Sequence, residues 1–201
     1  MDVVPIADKP LGAELVDVDL SKPLEDADIA KVRQAFADYS LLIIRGQNLQ
    51  GEDQDRFIEY LGPLQQFDNG AYHQFMTTEP VENASGDTNK RLLFHNDGAY
   101  RDVPRAGTSL YALDVAPTSA PTLFANGVRA YEKLPQELKD KIANLHAVNI
   151  LDLSLGGDES QRSRVADFPE GKTLDDVRWY EHPLVLTLPH SGKKTLFVSE
   201  F

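Results

Sequence analysis

The sequence of 201 residues contains no cysteine, two methionines and a single tryptophan. Without cysteine the chain can form no disulfide, no thiolate nucleophile and no thiolate-bound zinc or iron–sulfur site. Uninterrupted apolar runs of the length needed to span a bilayer are also missing. The N-terminus carries acids and prolines instead of a basic segment followed by an apolar one, so it predicts no signal peptide. We therefore expect a cytoplasmic protein that does not bind membranes.

Basic residues are scarce relative to acidic ones. The chain has 20 lysines and arginines against 32 aspartates and glutamates, which gives a formal net charge of -12. Such a surface repels phosphate backbones and anionic lipid headgroups, so we expect no nucleic-acid partner. The hydrophobic fraction of 41% is ordinary for a globular protein, and the length suits a single domain over residues 1–201.

Apolar periodicity predicts a mixture of strands and helices. Strands are expected over residues 13–20, 40–47, 107–116 and 122–126, with a hairpin over 182–201 that turns at a Ser-Gly pair. Helices are expected over 21–40 and 51–62, and a helix pair over 128–149 breaks near Pro135, with Leu138, Ile142 and Leu145 facing inward. The polar segments 65–91 and 152–178 read as long surface loops that cover a pocket. Together these predict an α+β or barrel-like fold, with an antiparallel β core and helices packed outside it.

The segment "LLFHNDGAYR", residues 92–101, places a histidine and an aspartate at the predicted end of a strand. Residues two apart on a strand project to the same face, so His95 and Asp97 should lie together. Imidazole and carboxylate are two of the three protein ligands of a mononuclear Fe(II) site that leaves its other positions open. The alternative is a surface ion pair in a structural or interaction protein. The remaining histidines are expected to be capping, loop or half-buried residues: His73, His146, His182 and His190.

Several separated segments resemble the TauD/TfdA family of Fe(II)- and 2-oxoglutarate-dependent dioxygenases. They are "LGAELVDVDLSKPL", "LLIIRGQNLQGEDQDRFIEYLGPL", "FHNDGAYRDVPRAGTSLYALDVAPTSAPTLFAN", "AYEKLPQELKDKI" and "HPLVLTLPHSGKKTLFV". They occur in the family's order and cover nearly the whole chain. The resemblance implies a double-stranded β-helix, or jelly roll, with flanking helices and Fe(II) held between two sheets. Family members continue beyond the hairpin, so we expect the domain to be incomplete at the C-terminus.

The resemblance also implies roles for individual residues. His95 and Asp97 would be the first two iron ligands, and Thr122 would bind a carboxylate of 2-oxoglutarate. Phe67, Arg91 and Phe94 match positions that line the substrate pocket, and Tyr100 is added because it lies near them in the sequence. The third ligand, a histidine, and the arginine that binds the far carboxylate of 2-oxoglutarate are expected beyond Phe201.

The activity implied is hydroxylation of a small acidic organic substrate with dioxygen and 2-oxoglutarate, which yields succinate and CO2. A homo-oligomer is compatible with the exposed helices. The chain departs from the family's pattern at "SAPT", Ser119–Thr122, where Gly-Gly-Asp usually precedes the threonine, and at Asn126, where an acid is usual. Phe67 cannot pair with a sulfonate, which argues against taurine. The competing interpretation is a jelly-roll scaffold that binds a metal or a small ligand without turnover.

Overall fold

A computed structural model describes residues 1–66, 70–73, 94–115, 121–151 and 173–199. The chain forms two compact units, Met1–Lys90 with Ser109–Leu123, and Arg91–Thr108 with Phe124–Phe201. Most of the two predicted loops lies outside the described residues, as do two predicted site residues, Phe67 and Arg91. Among the helices in the described ranges, none is both long and apolar enough to cross a bilayer.

The first unit contains a three-stranded sheet and two helices. Its strands are β1 Asp2–Pro5, β2 Ala13–Val16 and β3 Leu42–Ile43, in the order β1-β2-β3. The β1–β2 pair is antiparallel and the β2–β3 pair is parallel. The helices are α1 Asp26–Tyr39 and α2 Gly51–Glu59. These confirm both early helices and two of the predicted strands, although β2 ends at Val16 because Asp17 adopts a positive φ of 55°.

The hydrophobic core of the first unit lies between the sheet and the two helices. Alternation along β2 buries Ala13 and Leu15, and the inward face of α1 buries Val32 and Ala35. Phe57 of α2 completes the cluster and meets the ring of Tyr60 edge-on at 6.5 Å. Val32 and Ala35 are three residues apart, so they lie on one face of α1.

The N-terminus of α2 is closed by reciprocal hydrogen bonds. The backbone N–H of the third helical residue, Asp53, donates to the carbonyl of Gln50 at 3.1 Å, and the Gln50 backbone N–H donates to Asp53 Oδ2 at 2.9 Å. Arg56 Nη2 donates to Asp53 Oδ1 at 2.8 Å and also to the carbonyl of Leu20 at 2.8 Å. The backbone hydrogen bond from Gln50, and then the Arg56 side chain, lower the pKa of Asp53 below its usual 3.8.

We expect Asp53→Asn to lower the melting temperature at neutral pH, because the amide loses the charged interactions with Gln50 and Arg56. A carboxyl with a lowered folded-state pKa stabilises the fold above its unfolded pKa. That stabilisation is lost as the pH falls through the lowered value. The difference between wild type and variant should therefore shrink on acidification below pH 3.8. Glu52→Gln removes a charge from the same helical turn and should leave the melting temperature nearly unchanged; equal effects of both variants would contradict the assignment.

The second unit contains two short helices and two antiparallel strand pairs. The helices are α3 Gly127–Lys133 and α4 Gln136–Ile142, which confirm the predicted break near Pro135. Strand β4 His146–Leu151 pairs along its full length with β5 Arg178–Pro183, and a 3₁₀-helix at Leu174–Asp176 precedes β5. Strands β6 Val185–Thr187 and β7 Lys194–Leu196 form the predicted hairpin.

Helix α3 begins against strand β7. Its N-cap residue is Asn126, whose side chain accepts from the backbone N–H of Arg129 at 3.0 Å. A Cβ at Gly127 would lie only 2.8 Å from the carbonyl oxygen of Leu196, so this close approach requires glycine. The asparagine that departs from the family's pattern therefore has a structural role, because asparagine is a good N-cap.

Several sequence predictions about this fold were wrong. The helix pair predicted over 128–149 ends at Ile142, and strand β4 begins at His146. Residues 107–115 and 122–126 form no strand in the described ranges, and the large side chains of Leu110, Leu113 and Leu123 are exposed. On α4 and after it, Leu138 and Leu145 are exposed at 39% and 47% instead of facing inward. The sequence did not predict β1, β4 or β5. The mixture of helices and strands is confirmed, and the described residues form three small sheets.

Candidate metal centre

The His-x-Asp segment is a turn and not the strand end that its sequence predicts. Residues 94–96 have no regular structure and a turn spans 97–100, closed by a hydrogen bond from Arg101 N to Gly98 O at 3.0 Å. Gly98 has a φ of 69°, a conformation that favours glycine, and a Cβ there would lie 3.2 Å from the Arg105 side chain. His95 therefore lies directly before the turn, and Asp97 is its first residue.

The two side chains meet as predicted. His95 Nε2 lies 3.1 Å from Asp97 Oδ1, and the side chains are 30% and 44% exposed. The other carboxylate oxygen, Oδ2, accepts a hydrogen bond from Thr108 Oγ1 at 2.8 Å. One oxygen of Asp97 thus faces the imidazole, while the other is held by a hydroxyl.

This donor pair fits a metal ion bound by adjacent ligands. Two ligand atoms at right angles, each about 2.1 Å from a metal, lie about 3 Å apart, close to the His95–Asp97 separation. Imidazole nitrogen and carboxylate oxygen are also the donor types of open Fe(II) sites. Within the described ranges, no group of three histidine, aspartate or glutamate side chains is placed to hold a metal. The structure therefore supplies two candidate ligands.

The backbone of the motif is anchored to the chain after β7. Asn96, between the two candidate ligands, donates from its backbone N–H to Ser199 Oγ at 3.3 Å and from Nδ2 to the carbonyl of Val198 at 3.0 Å. These bonds span more than 100 positions of sequence, so they tie the motif to the hairpin of the second unit. The residue between the two candidate ligands thus fixes their backbone.

A buried histidine supports the C-terminal end of the same turn. His182 on β5 is 5% exposed, and its Nε2 donates to the carbonyl of Arg101 at 2.7 Å. Its ring packs between Tyr180, at a centroid distance of 4.9 Å, and the edge of Phe197, at 5.3 Å. The sequence placed His182 at a strand start, whereas it lies near the end of β5. No local pattern indicated burial, because the neighbouring Glu181 and Tyr180 are exposed.

The other histidines have the ordinary roles that were predicted, with one correction. His73 Nε2 lies 2.6 Å from Asp55 Oδ1 in the first unit. His190 lies exposed in the turn of the β6–β7 hairpin. His146 was predicted at a helix end, but it opens strand β4, with Nδ1 3.9 Å from Glu181 Oε1.

The residues predicted to bind the co-substrate and substrate are only partly described. Thr122 lies exposed in the first unit, next to Pro121, in a segment without regular structure. Phe94 is half-buried directly before His95. Phe67 and Arg91 lie outside the described residues. None of these four assignments is tested by the structure, so they stay predictions.

Tyr100 lines an open cavity of about 390 Å³ in the second unit. Arg101 and Arg178 place their guanidinium carbons 5.5 and 5.9 Å from the centroid of the Tyr100 ring. The other lining residues are Asp102, Val177, Trp179 and Tyr180. The lining thus combines aromatic side chains, two guanidinium groups and the carboxylate of Asp102.

Similarity to known proteins extends over nearly the whole chain. Residues 2–201 match the family described as "Taurine catabolism dioxygenase TauD, TfdA family". An alkylsulfatase of Acinetobacter baylyi is 28% identical over 195 residues, which cover 95% of this chain and 61% of the relative. The (S)-phenoxypropionate/α-ketoglutarate-dioxygenase of Sphingobium herbicidovorans is 29% identical, and the match covers 98% of this chain and 70% of that protein.

A solved structure agrees in fold. The crystal structure of AAD-2 in complex with Mn(II) and N-oxalylglycine superposes with a TM-score of 0.68 at 20% identity, covering 99% of this chain and 69% of that one. The chain thus spans between about three fifths and seven tenths of the length of these proteins.

Proposed function

The chain belongs to the TauD/TfdA family, and from that premise we propose that it is part of an Fe(II)- and 2-oxoglutarate-dependent dioxygenase that hydroxylates a small acidic organic molecule. The observation that carries this proposal is the His95–Asp97 pair, with Nε2 and Oδ1 3.1 Å apart, inside a chain that matches the family from end to end. The name of the Sphingobium herbicidovorans relative includes α-ketoglutarate, which is another name for 2-oxoglutarate. The proposed fold of the whole domain is a double-stranded β-helix with flanking helices.

His95 and Asp97 would hold the metal in this proposal, with a third histidine supplied from outside the described residues. When bound, iron with 2-oxoglutarate and dioxygen supplies the oxidising power for C–H hydroxylation, and succinate and CO2 are the co-products. The protein's own part is to fix the ligands. Asn96 does so through the backbone, and the hydroxyl of Thr108 does so through the Asp97 side chain.

The remaining predicted residues would bind the organic molecules. Thr122 would donate to a carboxylate of 2-oxoglutarate, a role open to an exposed hydroxyl. The substrate would be bound by Phe67, Arg91, Phe94 and Tyr100. At the cavity beside Tyr100, Arg101 and Arg178 would supply positive charge to an anionic substrate, next to the carboxylate of Asp102. A phenoxyalkanoate, the substrate type named for one relative, has the required apolar body and carboxylate.

The proposal is tested by turnover in the natural full-length protein. The protein is supplied with Fe(II), 2-oxoglutarate and dioxygen and is screened against aryloxyalkanoates, sulfate esters and sulfonates, with succinate and oxygen uptake as the readouts. We expect succinate formation to rise with an anionic substrate and to match the hydroxylated product one for one. If iron binds stoichiometrically but no 2-oxoglutarate is consumed with or without any of these compounds, the dioxygenase proposal fails and a non-catalytic metal-binding protein is favoured.

A further inference from the structure

The two carboxylate oxygens of Asp97 have different partners. Oδ1 lies 3.1 Å from His95 Nε2, whereas Oδ2 accepts from Thr108 Oγ1 at 2.8 Å. Thr108 comes 11 positions later in the sequence and belongs to the same unit. The hydroxyl therefore reaches the candidate ligand from the far end of the loop that follows the turn.

A carboxylate without such a partner can rotate about its Cβ–Cγ bond and can bind a metal through one oxygen or both. A hydrogen bond on Oδ2 restricts that rotation and leaves Oδ1 directed toward the imidazole. Partners of this kind orient metal ligands and raise metal affinity. Threonine suits the task, because its β-branched side chain has few favourable χ1 rotamers and so holds its hydroxyl in a defined direction.

The hydrogen bond between Thr108 and Asp97 should contribute little to the stability of the fold. Thr108 and Asp97 are both exposed, so water could satisfy either group if the other were removed. A hydrogen bond between exposed groups contributes little net stability, because water replaces the lost partner. The backbone of the motif is held separately, by the bonds from Asn96 to Val198 and Ser199. Loss of the hydroxyl should therefore leave the turn in place and free only the carboxylate.

We propose that Thr108 is a positioning residue of the metal centre, whose hydroxyl holds Asp97 so that it binds the metal through Oδ1 alone. The proposal rests on the proposed function, because it requires that His95 and Asp97 bind the metal. It adds a residue outside the His-x-Asp motif that controls the geometry of one ligand.

The test compares metal affinity in the natural full-length protein and its Thr108 variants. Thr108→Val keeps the shape and removes the hydroxyl, Thr108→Ser keeps the hydroxyl, and Thr108→Ala is a second removal. Ser109→Ala is the matched control. It removes the hydroxyl of the next residue, which accepts a hydrogen bond from Gln54 Nε2 at 2.9 Å. Fe(II) is titrated anaerobically and Mn(II) in air, with the melting temperature of the metal-free protein recorded for each variant.

We expect Thr108→Val and Thr108→Ala to weaken metal binding about 10- to 100-fold at an unchanged metal-free melting temperature. Thr108→Ser and Ser109→Ala should retain wild-type affinity. Wild-type affinity in Thr108→Val would overturn the proposal, as would a loss that serine does not restore or that follows the melting temperature. If the wild-type protein itself binds neither metal, the proposed function has failed and this inference falls with it.

Discussion

His95→Ala and Asp97→Ala should each abolish iron binding and 2-oxoglutarate turnover in the full-length protein. Each replacement removes one of the two donor atoms that lie 3.1 Å apart. Removing a metal ligand lowers metal affinity more than removing a residue that orients a ligand. The decrease in affinity should therefore be larger than the decrease of about 10- to 100-fold expected for Thr108→Val. Metal affinity is measured by anaerobic titration, and turnover by succinate formation.

The first unit offers a matched control for this prediction. His73 and Asp55 form a second histidine–carboxylate pair, with Nε2 and Oδ1 2.6 Å apart. If any adjacent histidine and carboxylate could bind the metal, His73→Ala would lower metal affinity as much as His95→Ala. We expect wild-type metal affinity in His73→Ala. A loss confined to His73→Ala, or wild-type affinity in both His95→Ala and Asp97→Ala, would place the metal elsewhere.

Leu15→Ala should destabilise the first unit by about 2–5 kcal/mol, the range for removing a buried leucine side chain from a packed core. Leu15 is 2% exposed and packs with the other buried residues of its cluster, Leu20, Val32, Ala35 and Phe57. Truncation leaves a cavity between β2 and the helices that neighbouring side chains fill only in part. Denaturant titration followed by circular dichroism measures the shift in the unfolding midpoint.

Leu138→Ala is the control for that experiment. It makes the same chemical change on α4, where the side chain is 39% exposed, and alanine is the better helix former. We expect a change of about 1 kcal/mol or less. An equally large loss of unfolding free energy in Leu138→Ala and Leu15→Ala would contradict the observed exposure of Leu138. It would favour the inward orientation that the sequence periodicity predicts.

Helices and the hairpin were predictable because their signals are local. The inward faces of α1 and α2 follow the helical period, and the acids in their first turns favour an N-terminus. The β6–β7 hairpin turns at Gly192, whose φ of 67° is one that glycine adopts readily. In each case the residues that determine the element lie within it or directly beside it.

The missed and wrong strands depend on distant partners. Strand β4 pairs from His146↔Pro183 to Leu151↔Arg178, across a long intervening segment, and neither strand shows clear alternation of apolar and polar residues. Conversely, residues 107–115 have strand-forming side chains but pair with no strand in the described ranges. Strand propensity shows that a segment fits a sheet, but it does not identify a neighbouring strand.

The candidate site depends partly on local sequence and partly on distant contacts. The sequence predicted that His95 and Asp97 meet, and they do, although the segment that carries them is not a strand and leads into the turn at Gly98. Thr108, Asn96 and His182 were not predicted as supports, because each acts through a contact that only the fold creates. Local sequence thus identified the donor atoms, while their orientation depends on packing.

If His95 and Asp97 bind the iron at which 2-oxoglutarate reacts, the complex should be visible by its absorption. Fe(II) and 2-oxoglutarate are added anaerobically to the natural full-length protein, and the visible spectrum is recorded. We expect a weak charge-transfer band in the wild-type protein that is absent in Asp97→Ala and present in the His73→Ala control. No band in the wild-type protein, or an undiminished band in Asp97→Ala, would contradict it.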